Sequence, residues 1–131
     1  MTMNLGKTTS QYFTLNRQPF TANLTYRGTL SQHNHVSTYI GYNFDNKLKL
    51  TKHVDHVLSK ARKRFPILKR QAGAKWGCGR VTLNIIYKTY IQPVLNYCIE
   101  VLVSASNKVL RMLDVFQTQT LRLITGAFLK L

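Results

Sequence analysis

Beyond residue 50 the apolar side chains recur three or four positions apart in three separate stretches, and this spacing decides what that half of the chain can become. Residues at such intervals share one face of a helix, whereas a strand needs strict alternation. The first stretch, from about Lys52 to Ala72, carries Val54, Val57, Leu58, Ala61, Phe65 and Leu68. Thr51 suits its N-cap and Gly73 its stop. The second, from about Val81 to Tyr97, places Leu83, Tyr87, Tyr90, Val94 and Tyr97 on one side and Lys88, Thr89, Gln92 and Asn96 on the other. The third, from about Asn107 to Thr125, turns Val109, Leu113, Phe116, Leu123 and Ile124 inward and Lys108, Arg111, Asp114 and Arg122 outward, with Gly126 as its stop. Pro66 and Pro93 fall inside two of these helices. A proline removes a helix hydrogen bond at a cost of about 3 kcal/mol, so a kink is expected at each, or two shorter helices around Pro66. Three such helices can bury their stripes against one another in a small bundle.

Residues 1–45 read differently. They are rich in Thr, Asn, Tyr and Phe, and short alternating patches at Tyr12–Leu15, Phe20–Tyr26 and Val36–Phe44 predict strands. Arg27-Gly28-Thr29 and the polar run Ser31–His35 supply turns between them. So few short strands leave unpaired edges and make a poor sheet alone, which suggests a region that extends a larger sheet. The expected fold is α+β: an N-terminal strand region over 1–45, then a basic three-helix bundle over 46–131.

Charge narrows the function. Nineteen Lys and Arg face four acids, Asp45, Asp55, Glu100 and Asp114, for a formal net charge of +15. Such an excess repels itself in the compact state and attracts polyanions, with nucleic acid the first candidate and an anionic membrane surface the rival. The surplus is densest on the first helix. Lys52, Lys63 and Arg70 lie opposite its apolar stripe, and Lys60, Arg62, Arg64 and Lys69 flank them. An ordinary solvated helix face mixes signs, but between Lys52 and Arg80 only Asp55 is negative. These seven residues are the candidates for contact with a nucleic-acid backbone. Trp76, in a glycine-rich loop between basic helices, is the candidate for stacking on a base; a lone Trp more often anchors a loop on the core.

Other chemistries lack support. His33, His35, His53, His56, Cys78 and Cys98 match no compact metal-ligand spacing. Gly73, Gly77 and Gly79 lack the setting of a phosphate loop, no nucleophile-elbow pattern occurs, and nothing indicates a small-molecule substrate. No apolar run approaches the roughly 20 residues that span a bilayer, and Met1–Ser10 has no signal-like apolar segment. Each apolar stripe has partner stripes in the same chain, which argues against lying on a membrane. Two cysteines are too few for a disulfide scaffold and suit a reduced, intracellular setting.

A series of short words then falls in order. Asn4-Leu5-Gly6-Lys7-Thr8 precedes Phe13; Tyr39-Ile40-Gly41 precedes Asp45 and Leu48. Ala61-Arg62-Lys63-Arg64, Ile67-Leu68-Lys69-Arg70 and Ala72-Gly73 lead to Lys75-Trp76-Gly77-Cys78. Then come Arg80, Thr82-Leu83, Tyr87-Lys88, Tyr90-Ile91-Gln92-Pro93-Val94-Leu95 and Tyr97. Leu110, Leu113, Gln117 and Gln119 precede Leu121-Arg122-Leu123-Ile124-Thr125-Gly126-Ala127. Over nearly the whole chain this order resembles the reverse transcriptase, an RNA-directed DNA polymerase, of jockey-like non-LTR retrotransposons, in the stretch just after the catalytic motif.

The resemblance implies the end of a palm followed by a thumb-like region. It sets Tyr39, Ile40 and Gly41, matching the family's Tyr-Leu-Gly, near the primer terminus. It implies an RNA template, a DNA primer or hybrid, and the upstream palm and fingers of a parent polymerase as partners. It also implies a ribonucleoprotein in the nucleus or cytoplasm. Gln117-Thr118-Gln119-Thr120 departs from the family's Gln-Asn-Gln-Ala and puts Thr120 on the inward face of the third helix. Such polymerases hold two Mg²⁺ ions, about 4 Å apart, on paired aspartates. No Asp-Asp pair occurs here, so no catalytic residue is assigned and the chain alone is expected to be inactive. It reads as a fragment of the enzyme whose aspartates lie upstream. The alternatives are a stand-alone small basic nucleic-acid-binding protein and a non-functional remnant of a decayed element.

Overall fold

A computed structural model describes residues 2–73, 77–97 and 99–127. The architecture is α+β, with short N-terminal strands in small sheets followed by helices. The chain divides into two compact units, Met1–His53 and Val54–Leu131.

In the first unit six short strands form three separate two-stranded ladders. β1 (Thr9–Ser10) runs parallel to β4 (Gln32–His33). β2 (Thr25–Tyr26) and β3 (Thr29–Leu30) pair antiparallel, as do β5 (Val36–Tyr39) and β6 (Tyr42–Asp45). The last two pairs are hairpins with two-residue turns, Arg27-Gly28 and Ile40-Gly41, and all four turn residues have positive φ. Positive φ at both central positions is the mark of a type I′ turn, whose twist matches that of the flanking strands.

Four sequence expectations need correction here. Ser31–His35, expected as a turn, contains β4. Tyr12–Leu15 is not a strand, although Thr14 N–H donates to the Asn46 carbonyl at 2.9 Å. Only Thr25–Tyr26 of the span Phe20–Tyr26 is extended in a ladder. Val36–Phe44 is two strands rather than one, because the chain reverses at Ile40-Gly41.

Little of this unit is buried. Among its described residues Leu50 and His53 alone reach the core, while Leu15, Phe20, Leu24 and Leu30 are exposed. Rings and amides supply its order instead. Tyr42 stacks on Phe44 at 5.4 Å and lies 4.6 Å from the His53 ring; Phe13 meets Phe44 edge-on at 6.2 Å. The Gln11 side-chain amide donates to the carbonyls of His35 and Phe44 and to Asn46 Oδ1, and its oxygen accepts from Ser37 Oγ.

The second unit holds most of α1 (Thr51–Gln71), then α2 (Arg80–Ile86), a π-helical turn (Tyr87–Ile91), α3 (Gln92–Asn96) and α4 (Asn107–Thr125). Backbone angles stay right-handed helical from Ile86 through Gln92, so α2, the π turn and α3 form one rod, and among the described residues the rods number three. Val54, Val57, Leu58, Ala61 and Leu68 of α1 are buried. Phe65 is half-buried and meets Phe116 of α4 edge-on at 5.8 Å. Full burial of such an aliphatic side chain contributes about 1.5–3 kcal/mol, so this stripe is what holds α1 in place.

Thr51 is the first residue of α1, one position inside the expected cap. The Asp45 carboxylate accepts the Leu50 N–H at 3.2 Å just ahead of it. α1 also continues through Pro66 as one helix. Pro66 is exposed, so the carbonyl of Arg62, which loses its i+4 donor, can take water instead. After α1, the Cys78 N–H closes on the Gln71 carbonyl at 2.8 Å, and a Cβ on Gly77 would lie 2.2 Å from the Gly73 carbonyl oxygen. Only glycine lets the backbone pass that closely.

Pro93 produces a π turn. The N–H of Gln92 reaches the Tyr87 carbonyl, five residues back, and Pro93 falls in the first turn of α3, where a missing N–H costs little. The wider turn moves the buried face. The core takes Leu83, Tyr87, Ile91 and Leu95, while Tyr90 and Tyr97 are exposed and Val94 is half-buried. Four-residue steps drift by about 40° each in a regular α-helix. The π turn absorbs that drift, which is why the expected Tyr90–Val94–Tyr97 stripe is wrong. In α4, Val109, Phe116, Thr120 and Ile124 are buried, and Gly126 ends the helix in the left-handed region at φ 74°. The Thr120 hydroxyl, fully buried, donates to the Phe116 carbonyl at 2.9 Å, so the departure at this position leaves no orphaned polar group.

Candidate nucleic-acid interface

The cations of α1 take their places from the helical period. Leu68, Ala61, Val57 and Val54 define the buried line; Lys63 and Arg70, seven residues apart, fall opposite it, and Lys52 occupies the same angular position in the first turn. From Lys52 to Arg70 the helix rises about 27 Å, at 1.5 Å per residue. Lys60, Arg62 and Lys69 spread around the rest of the solvent arc, and all six of these side chains are exposed. Asp55 is the one acid in α1. The helix also gives Lys69 and Arg70 an ordinary purpose, since cations in the last turn meet the negative end of the dipole for about 0.3–1 kcal/mol each. That purpose does not extend to Lys52, Lys60, Arg62 or Lys63, which lie outside the last turn.

Arg64 differs from its neighbours. It is half-buried, its guanidinium lies 4.7 Å from the centroid of the Tyr90 ring, and its Nη1 donates to the Tyr90 carbonyl at 2.6 Å. Tyr90 belongs to the π turn, where the ladder of i+4 bonds is interrupted. Arg64 is thus occupied in tying α1 to that turn, which sequence periodicity does not reveal because no local pattern marks the π turn.

Tyr39 and Ile40 are exposed, at 66% and 70%, with Gly41 beside them at the tip of the β5–β6 hairpin. Trp76 lies outside the described residues. Further cations are exposed elsewhere: Lys7, Arg17, Arg27, Lys47 and Lys49 in the first unit, and Arg80, Lys88, Lys108, Arg111 and Arg122 in the second. The positive charge is therefore general to the chain and most continuous on α1.

Metal chemistry finds no support in the donor set. Among the described residues no three of His, Cys, Asp and Glu converge on a point. Asp45 is engaged with the Leu50 amide, and Asp55 and Asp114 sit on different helices. These residues do not fit a site for two Mg²⁺ ions. Cys98 lies outside the described residues. Among those residues no helix is long and apolar enough to cross a membrane. Comparison with family models, with curated proteins and with solved structures returned no match.

Proposed function

We propose that this chain grips the sugar–phosphate backbone of a nucleic-acid duplex through the solvent face of α1, without reading base sequence. The observation that carries the reading is the arc of six exposed cations along α1 with a single acid among them. Phosphates are spaced densely along a duplex, and each lysine or arginine that meets one releases condensed counterions. A rigid helix holds such cations in register along a strand but offers bases no dedicated donor pattern, so affinity without sequence preference is the natural outcome.

Together with the resemblance to non-LTR retrotransposon reverse transcriptases, this reading makes the chain the palm end and thumb of an RNA-directed DNA polymerase, holding template RNA and primer DNA inside a ribonucleoprotein. The Mg²⁺-binding aspartates would belong to another part of that enzyme. The 131 residues alone should then bind a hybrid and extend no primer.

The test is the salt dependence of binding to an RNA–DNA hybrid. The logarithm of the binding constant should fall steeply and linearly with the logarithm of salt concentration. Lys63→Gln and Arg70→Gln should each lower that slope by roughly one, as loss of a phosphate contact does, with the same effect on hybrids of unrelated sequence. A slope near zero, or a strong preference for one sequence, overturns the proposal.

A further inference from the structure

A cavity of about 210 Å³ lies wholly within the first unit, lined by residues outside α1. Its wall brings together Arg17, Lys47, His33 and His35 with the aromatic rings of Tyr12 and Phe20, and no acid lines it. The wall is a built arrangement. Tyr12 packs edge-on against Phe20 at 5.9 Å and, tilted by 36°, against the His33 ring at 4.9 Å, and the Tyr12 hydroxyl donates to the Ala22 carbonyl. His33 and His35 meet edge-on at 5.3 Å, and Asn46 Nδ2 lies 2.9 Å from His35 Nδ1. The Thr14 N–H bonds the Asn46 carbonyl, which fixes the strand of chain that carries Lys47 against the one that carries Arg17.

We infer that this cavity receives the terminal phosphate of a nucleic-acid strand. The inference rests on the backbone-gripping reading and extends it to a second, separate site. Two observations select the ligand. Arg17 and Lys47 present two formal positive charges, which match the roughly −1.5 to −2 of a phosphomonoester at neutral pH better than the single charge of a backbone diester. The volume falls below the 300 Å³ or so at which sites for free small molecules begin, so it suits the end of a polymer whose remainder lies outside. Tyr12 and Phe20 then offer apolar faces to the terminal sugar or base. Both cations are exposed, so neither is committed to the core.

The experiment compares a 5′-phosphorylated single-stranded oligonucleotide with its 5′-hydroxyl counterpart on the full chain, near 0.15 M salt in order of magnitude. The phosphorylated strand should bind roughly tenfold more tightly, as charge-assisted contacts supply, and excess inorganic phosphate should erase that advantage. The double variant Arg17→Gln with Lys47→Gln should lose the discrimination while binding the hydroxyl strand nearly as well as the parent. Lys63→Gln with Arg70→Gln should weaken both strands alike and keep the discrimination. Equal affinity of the unaltered protein for the two strands overturns the terminal-phosphate site, whatever the variants do. Failure of the α1 variant to weaken binding of an RNA–DNA hybrid, measured alongside, would instead overturn the grip, with the phosphate preference left standing.

Discussion

Ile40 occupies a conformation that β-branched residues avoid, with φ at 49° in the first central position of the β5–β6 turn. Arg27 and Gly28 meet the same demand in the β2–β3 turn, and there the arginine, unbranched at Cβ, tolerates it better. Replacing Ile40 by Asn, which enters the left-handed region readily, should stabilise the hairpin by about 1 kcal/mol and raise the melting temperature. A fall in melting temperature would show that Ile40 gives more through its side chain than it costs through its backbone. This turn was hidden in the sequence because Ile-Gly resembles the interior of an apolar strand; Asn-Gly in its place would have announced the reversal. Arg27-Gly28 was legible as a turn, since its glycine stands among polar residues. The helical period alone puts Thr120 on the inward face, but only the structure shows the hydroxyl satisfied by the carbonyl one turn back.

At the scale of the helical elements, the stripe of α1 was legible because nothing disturbs its period, and Pro66 lies on the outer side, where water can reach the carbonyl it leaves without a helix partner. The stripe of the second rod was legible only as far as Tyr87. Beyond it the π turn shifts the buried face, and no local sequence pattern announces a five-residue turn. Arg64 follows from that shift. Arg64→Lys keeps the charge but removes the planar fork that both stacks on Tyr90 and bonds its carbonyl, so it should cost about 1–2 kcal/mol of stability in chemical denaturation while leaving the salt slope of hybrid binding nearly unchanged. Lys63→Gln should do the reverse, since Lys63 is exposed on the side of α1 opposite its buried line. If both changes affect binding and neither affects stability, Arg64 belongs with the phosphate-facing residues instead.

Across the whole molecule the buried apolar side chains belong almost entirely to the second unit, whereas the first orders itself with rings, amides and two tight turns. Regions with few buried contacts open at low free energy. Hydrogen exchange should therefore find the amides of β1 to β4 weakly protected and those in the middle of α1 and α4 strongly protected; uniform protection along the chain would contradict this distribution. The division into strands then helices was visible from composition and period together. The three separate ladders were not, because pairing partners depend on chain reversals such as Ile40-Gly41 that composition does not specify.

The π turn carries one residue more than a regular helix of the same reach. Removal of Lys88 or Thr89, both exposed, would return the rod to an ordinary winding in which Leu83, Tyr87, Ile91 and Leu95 still face the same way. That shortening would set Pro93 back into the middle of a continuous helix, at a cost of about 3 kcal/mol. A one-residue deletion alone should therefore lower stability, and the same deletion combined with Pro93→Ala should recover most of the loss. The length of this rod and the proline within it are free to change together and not separately.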